Sequence, residues 1–156
     1  STRPVPDRGY PRKTRKNHSF SIEVFKKIVN IELRRIERYN KTSSSIAGYT
    51  IQNFENMYAG LGDDSVAFLH ELAALIKNIL RSSDITTAVS ESCYLFMLSD
   101  TTDEQAARAM ERLWQGTQQL VEQNLTITPK ITTAHRLLES EEDVSNLLKE
   151  LTSYAP

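Results

Sequence analysis

Arg81 and Asp84 are the side chains in this sequence whose types and spacing could hold a small charged ligand. They follow the apolar pair Ile79-Leu80 and form the one Arg-x-x-Asp in the chain. A guanidinium presents a planar fork of donors that meets two acceptors at once, as on a phosphate. A carboxylate beside it can accept from adjacent N–H groups. The same residues could instead serve the fold, because Arg is favoured at a helix C-terminus by the dipole and the two side chains could pair or cap the turn. Arg108 and Arg112, one helical turn apart, are further cations that could balance negative charge on a ligand. Other chemistry is sparse. Cys93 is the single cysteine, and His18, His70 and His135 are scattered, so neither a nucleophile–base motif nor a metal-ligand spacing is present in the sequence. Cys93 therefore reads as a buried or turn thiol.

The elements that must position these groups follow from periodicity. Residues 1–18 read as a basic, Pro-containing tail or linker, with Pro4, Pro6 and Pro11 and six Arg or Lys against the lone Asp7. The sharper alternative for this segment is an arm that steers toward anionic partners. From residue 19 on, the chain reads as one domain. Ile22, Phe25, Val29 and Ile36 predict an amphipathic helix over 20–39. It either packs on its own domain or continues an upstream coiled coil as an interdomain or dimerisation helix. A strand is expected over 45–54 and a turn around Gly60 and Gly62. A helix follows from Asp63 to about Arg81, with Val66, Leu69, Leu72, Ala73, Ile76, Ile79 and Leu80 on its stripe. Ile85–Val89 and Tyr94–Leu98 around Ser90-Glu91-Ser92-Cys93 predict a hairpin. Thr101-x-x-Glu104 matches a capping box. The next helix carries Ala106, Met110, Leu113, Trp114, Thr117, Leu120 and Val121, with Met110 and Trp114 expected in the core. Residues 125–133 predict an edge or bulged strand, because Pro129 cannot donate to a central ladder. A last helix begins in Glu139-Ser-Glu-Glu-Asp. The fold class expected is α+β, a ferredoxin-like split βαβ with a mostly antiparallel sheet, helices on one face and an extra N-terminal helix.

At the hairpin the sequence resembles a known family. Ile79-Leu80-Arg81-Ser82-Ser83-Asp84-Ile85 resembles the Leu-Arg-x-x-Asp stretch of GGDEF diguanylate cyclases. After five intervening residues, Ser90-Glu91-Ser92-Cys93-Tyr94 stands where that family has its signature turn. Leu95–Leu98 resembles the strand that follows it, and Tyr49–Phe54 the first strand. The resemblance spans about residues 45–135. It implies a reaction in which a ribose 3′-hydroxyl of one GTP attacks the α-phosphate of another, with divalent metal held by carboxylates. The positions implied for those carboxylates are occupied by Thr50 and Ser92, the acidic fourth signature position by Cys93, and the two glycines by Ser90 and Glu91. The position implied for the base-reading Asn falls near Tyr58, in a loop at 58–64 shorter than in active members. The resemblance thus implies a degenerate domain without cyclase activity and without a metal or other cofactor. It also implies that Arg81 and Asp84, joined by Arg112 or Arg108, form the inhibitory site that binds cyclic di-GMP.

The bulk numbers agree with a binding module. A chain of 156 residues with 39% hydrophobic content can bury a core, and a formal charge of −1 gives no global attraction to nucleic acid. One cysteine suits a reducing compartment. No apolar run approaches the roughly 20 residues needed to span a bilayer, so direct membrane insertion is not expected. The chain begins without Met, which suggests a piece of a longer bacterial protein, and the setting expected is cytoplasmic. The expected partners are cyclic di-GMP, a protein of a secretion or regulatory complex, and a second copy in a ligand-linked homodimer. The rival readings are a degenerate GGDEF interaction scaffold without nucleotide, and a working cyclase.

Overall fold

The structure is a computed structural model that describes residues 18–40, 42–124 and 126–153. In chain order the elements are β1 (His18–Phe20), α1 (Ile22–Tyr39), β2 (Ser45–Ile51), α2 (Phe54–Leu61), α3 (Asp63–Ile79), β3 (Ile85–Ser90), β4 (Cys93–Leu98), α4 (Asp103–Asn124), β5 (Ile131–Leu137) and α5 (Glu142–Thr152). The sheet order is β1-β3-β4-β2-β5. The β3–β4, β4–β2 and β2–β5 pairs are antiparallel and β1 runs parallel to β3. The expected α+β split βαβ class is the observed one. No helix among the described residues is long and apolar enough to cross a membrane.

Helices cover both faces of the sheet, not one as the sequence suggested. Phe54 and Met57 of α2, Phe68 and Leu72 of α3, and Met110 and Leu113 of α4 pack on Ala47, Tyr49, Phe96 and Leu98. Phe25 and Val29 of α1 and Val144, Leu147 and Leu151 of α5 pack on Ile46, Leu95, Met97 and Ala134 from the opposite side. All seven residues of β2 are buried, which is why its sequence does not alternate cleanly. The first helix therefore packs on its own domain. Its start is capped by the Ser21 hydroxyl, which accepts from Val24 N–H at 3.3 Å, and its end by Asn40 in the left-handed region at φ 43°.

Several expected boundaries move. The tail at 1–17 lies outside the described residues, as does Tyr154, but His18 already belongs to β1. The expected loop at 58–64 is the end of α2, Gly62 at φ 54°, and the start of α3. The last strand is an edge strand, as expected, but starts at Ile131, so Pro129 precedes it and removes no ladder bond. On α3 the buried stripe is Ser65, Phe68, Leu72 and Ile76, and Val66 is exposed. On α4 Met110 is buried but Trp114 is 40% exposed, because Leu113 and Thr117 take the inward line.

One carboxylate interrupts the apolar stripe of α1. Glu32 is buried. It accepts from Arg35 Nε at 2.9 Å and Nη2 at 2.8 Å, and from the hydroxyl of Ser44. The Arg35 bonds hold its carboxyl below the ordinary glutamate value of 4.5, against the opposing effect of burial. A depressed folded value stabilises the fold above pH 4.5, and that contribution is lost as pH falls through the lower folded value. Glu32→Gln is thus expected to cost about 1–3 kcal/mol near neutrality. The difference from the parent should shrink in urea titrations repeated below pH 4.5; a pH-independent difference would contradict this account.

Candidate functional site

The Arg81–Asp84 turn is built by the end of α3. Leu80 leaves the helix in extended conformation and is buried, which anchors the chain where it reverses. Asp84 N–H donates to Arg81 carbonyl O at 3.0 Å, and Asp84 Oδ2 accepts from Arg81 N–H at 2.8 Å. The turn thus closes through both backbone and side chain. The Asp84 side chain is only 4% exposed, and its Oδ1 stands 3.5 Å from Arg81 Nη2. The capping role that the sequence allowed is therefore real, and direct acceptance from a ligand requires the turn to open.

Arg81 reaches the other way. Its Nη2 donates to Ser99 carbonyl O and, at 2.6 Å, to Thr101 Oγ1, while the side chain stays 54% exposed. These hydrogen bonds all use Nη2, and none involves Nε or Nη1 among the described residues. Thr101 can serve Arg81 because it is not the helix cap. The capping box is Thr102–Gln105, one residue later than expected, with Thr102 N–H to Gln105 Oε1 at 2.9 Å and Gln105 N–H to Thr102 Oγ1 at 3.2 Å. Sequence reasoning missed Ser99 and Thr101 as partners of Arg81; Thr101 was singled out, but for the wrong bond. Arg108 and Arg112 are exposed on α4, without an ion pair among the described residues. A rise of 1.5 Å per residue puts them roughly 8 and 14 Å beyond Asp103 along the helix that starts beside Arg81.

The hairpin forms a separate cleft. Thr50 pairs with Cys93 across β2 and β4, and Ile51 N–H donates to Ser92 carbonyl O at 2.9 Å. Thr50 and Ser92, far apart in sequence, therefore lie side by side. A register shift between Ala88 and Ser90 marks a bulge before the turn. Ser92 N–H donates to Ser90 Oγ at 3.3 Å and Tyr94 OH to Glu91 carbonyl O at 2.9 Å. Burial pushes the thiol of Cys93 up, opposed by a hydrogen bond with Thr50, and pushes the Tyr94 phenol up as well. A thiol so held is a poor nucleophile. The cleft measures about 770 Å³ and is lined in part by Thr50, Gln52, Glu55, Ser90, Glu91 and Ser92. Glu55 was not among the residues expected there.

Comparison with known proteins places this geometry. The sequence matches the family described as Diguanylate cyclase, GGDEF domain, over residues 21–152. The chain belongs to the GGDEF family. No curated protein matches it. Among solved structures it is similar to the FimX GGDEF domain of Pseudomonas aeruginosa, at 18% identity and TM-score 0.67, covering 87% of this chain and 88% of that one. It is also similar to the active GGEEF domain of a diguanylate cyclase from Vibrio cholerae, at 18% identity and TM-score 0.69, covering 85% and 86%. The GGDEF domain of DgcB from Caulobacter crescentus, solved in complex with c-di-GMP, matches at 12% identity and TM-score 0.65, covering 93% and 95%.

In this GGDEF domain Ser90 to Tyr94 form the turn beside the end of β2. The Arg81–Asp84 turn lies at the opposite end of β3, next to the start of α4. The buried and exposed members of the pair then have different stability costs. Asp84→Ala strands the Arg81 N–H and is expected to lower the unfolding free energy by about 1–3 kcal/mol. Arg81→Ala removes a half-exposed side chain and should cost about 1 kcal/mol or less. Urea denaturation of both variants checks the order; if Arg81→Ala proves the costlier, Asp84 is not what holds the turn.

Proposed function

We propose that this chain is a non-catalytic receptor domain that binds cyclic di-GMP at Arg81 and passes the event to a partner. The observation that carries the reading is the half-exposed guanidinium of Arg81, held at the start of α4, whose exposed surface carries Arg108 and Arg112. Such a set suits a ligand with two phosphates and two guanines, since an Arg fork meets either group in bidentate fashion. Asp84 enters chiefly as the residue that sets Arg81, with direct acceptance from guanine reserved for an opened turn. A structural neighbour, the DgcB domain, is a complex with this dinucleotide.

The cleft at the hairpin supports the non-enzymatic half of the reading. The family's reaction needs a divalent cation, and hard cations are held by carboxylates. Thr50 and Ser92, at the two positions the resemblance implies, offer neutral hydroxyls, and Thr50 is buried. These residues do not fit a magnesium ion. Glu55 and Glu91 line the same cleft, yet no group of three His, Cys, Asp or Glu that could hold a metal occurs among the described residues. Ser90 and Glu91 stand where glycines would let a nucleotide approach the backbone. The output in this reading is regulation of biofilm formation, exopolysaccharide secretion or motility, through a protein partner or a ligand-linked dimer.

A second reading, a scaffold without nucleotide, is favoured by one observation. α1 exposes Val24, Ile31 and Tyr39, the last two at 57%, as a protein-binding surface would. Titration calorimetry with cyclic di-GMP separates the readings. The parent chain should bind, Arg81→Ala should abolish the heat, and Arg112→Ala or Arg108→Ala should weaken binding by about tenfold, the loss of roughly one charged contact. A flat titration of the parent would favour the scaffold. Product from GTP and Mg²⁺ would restore the cyclase and overturn the non-enzymatic reading.

A further inference from the structure

Three consecutive residues, Ser99, Asp100 and Thr101, hold two things at once. On one side Ser99 carbonyl O and Thr101 Oγ1 hold Arg81 Nη2, and the Thr101 hydroxyl itself donates to Ser99 carbonyl O at 2.8 Å. On the other side the same residues hold the α1 side of the fold. Asp100 Oδ1 accepts from Arg35 Nη2 at 3.0 Å, and that nitrogen also donates to Glu32. Asp100 N–H donates to Ser44 Oγ at 3.1 Å, while Ser44 donates to Glu32 Oε2. Thr101 N–H donates to Ser43 carbonyl O at 2.8 Å, and Ser45 Oγ donates to Thr101 carbonyl O at 3.0 Å. Asp100 sits at φ 48°, a left-handed conformation that non-glycine residues adopt only where their surroundings enforce it, with Asp and Asn the most tolerant.

We propose that this loop is a latch that competes with a ligand for Arg81 and loosens α1 when Arg81 leaves it. The ligand side rests on the cyclic di-GMP reading above; the latch itself is a property of the free chain. Nη2 is the nitrogen that completes the guanidinium fork, and it is committed to Ser99 and Thr101. A bidentate ligand must take it from them. Once Arg81 is released, the loop keeps on its outer side only the bond from Ser99 Oγ to Ser83 carbonyl O at 3.4 Å, and the strained Asp100 can relax away from Arg35 and Ser44. The chain of contacts is contiguous from Arg81 to Glu32, and each link is a charge-assisted or buried hydrogen bond. A ligand shifts such an equilibrium only by binding the released form more tightly, and removing the latch must therefore tighten binding. Reciprocity then requires that whatever pulls α1 away from Asp100 also favours the ligand.

Hydrogen exchange and calorimetry on the full chain test this. Without any ligand, Arg81→Ala is expected to speed amide exchange over Glu32–Tyr39 of α1 as well as in the loop. In an Asp100→Asn background, where Asn keeps the left-handed backbone but cuts the ion pair to Arg35, the added Arg81→Ala change should speed α1 exchange less than it does in the parent, because only the link from Asp100 N–H to Ser44 remains. Thr101→Val, which removes the competing hydroxyl, should tighten cyclic di-GMP binding by about threefold to tenfold, the scale of one hydrogen bond to a charged group. The latch is overturned if Arg81→Ala speeds exchange in the loop alone, or if Thr101→Val binds the dinucleotide no better than the parent. A parent chain that ignores cyclic di-GMP removes the receptor reading, and the ligand-free exchange comparison still decides whether the latch exists.

Discussion

The guanidinium of Arg81 is the interaction on which this end of the molecule depends. A cation at a helix exit is ordinarily satisfied by the dipole and by water, at little structural consequence. Here its backbone N–H is taken by Asp84 and one of its nitrogens by Ser99 and Thr101, so a single residue joins the end of α3, the start of β3 and the loop into α4. The carboxylate is hidden and the cation is half in water. That division means the acid shapes the turn and the base meets what arrives from solvent.

The hairpin at the other end of β3 is held by different physics. Its turn is closed by Ser90 and Tyr94 acting on backbone groups, and Thr50 faces Cys93 across the ladder. Neutral polar groups close the turn there, with Glu55 and Glu91 on the wall of the cleft. The pattern of neutral polar groups is thus self-consistent as a folded structure, whatever the family's chemistry requires elsewhere.

The double cover of the sheet explains why the N-terminal helix belongs to the domain. Phe25 and Val29 of α1 share one face with α5, and Glu32 is drawn in behind them because Ser44 and Arg35 supply its partners. Burying a carboxylate is tolerated only with such partners. The C-terminal half of α1 thus adds this polar attachment to the apolar contacts of Leu33 and Ile36.

The sequence by itself determined the long elements and the pairing of Arg81 with Asp84 in one turn. α1, α3, α4 and the β3–β4 hairpin announce themselves through local periodicity, and a turn of four residues keeps its members together whatever surrounds it. Tertiary structure decided what local pattern could not encode. β1 has three residues and no period, and exists because β3 offers it an edge. α2 was hidden because Gly60 falls in its last turn and Gly62 directly after it, and Phe68 replaced Val66 on the buried stripe because the sheet, not the helix, chooses the inward line. The cap of α4 moved from Thr101 to Thr102 because Arg81 and Ser99 claim the earlier hydroxyl across space. Whether Asp84 faced a ligand or its own backbone was open for the same reason: a side chain's partner is set by which groups the fold brings within three ångströms, and most of those are distant in sequence.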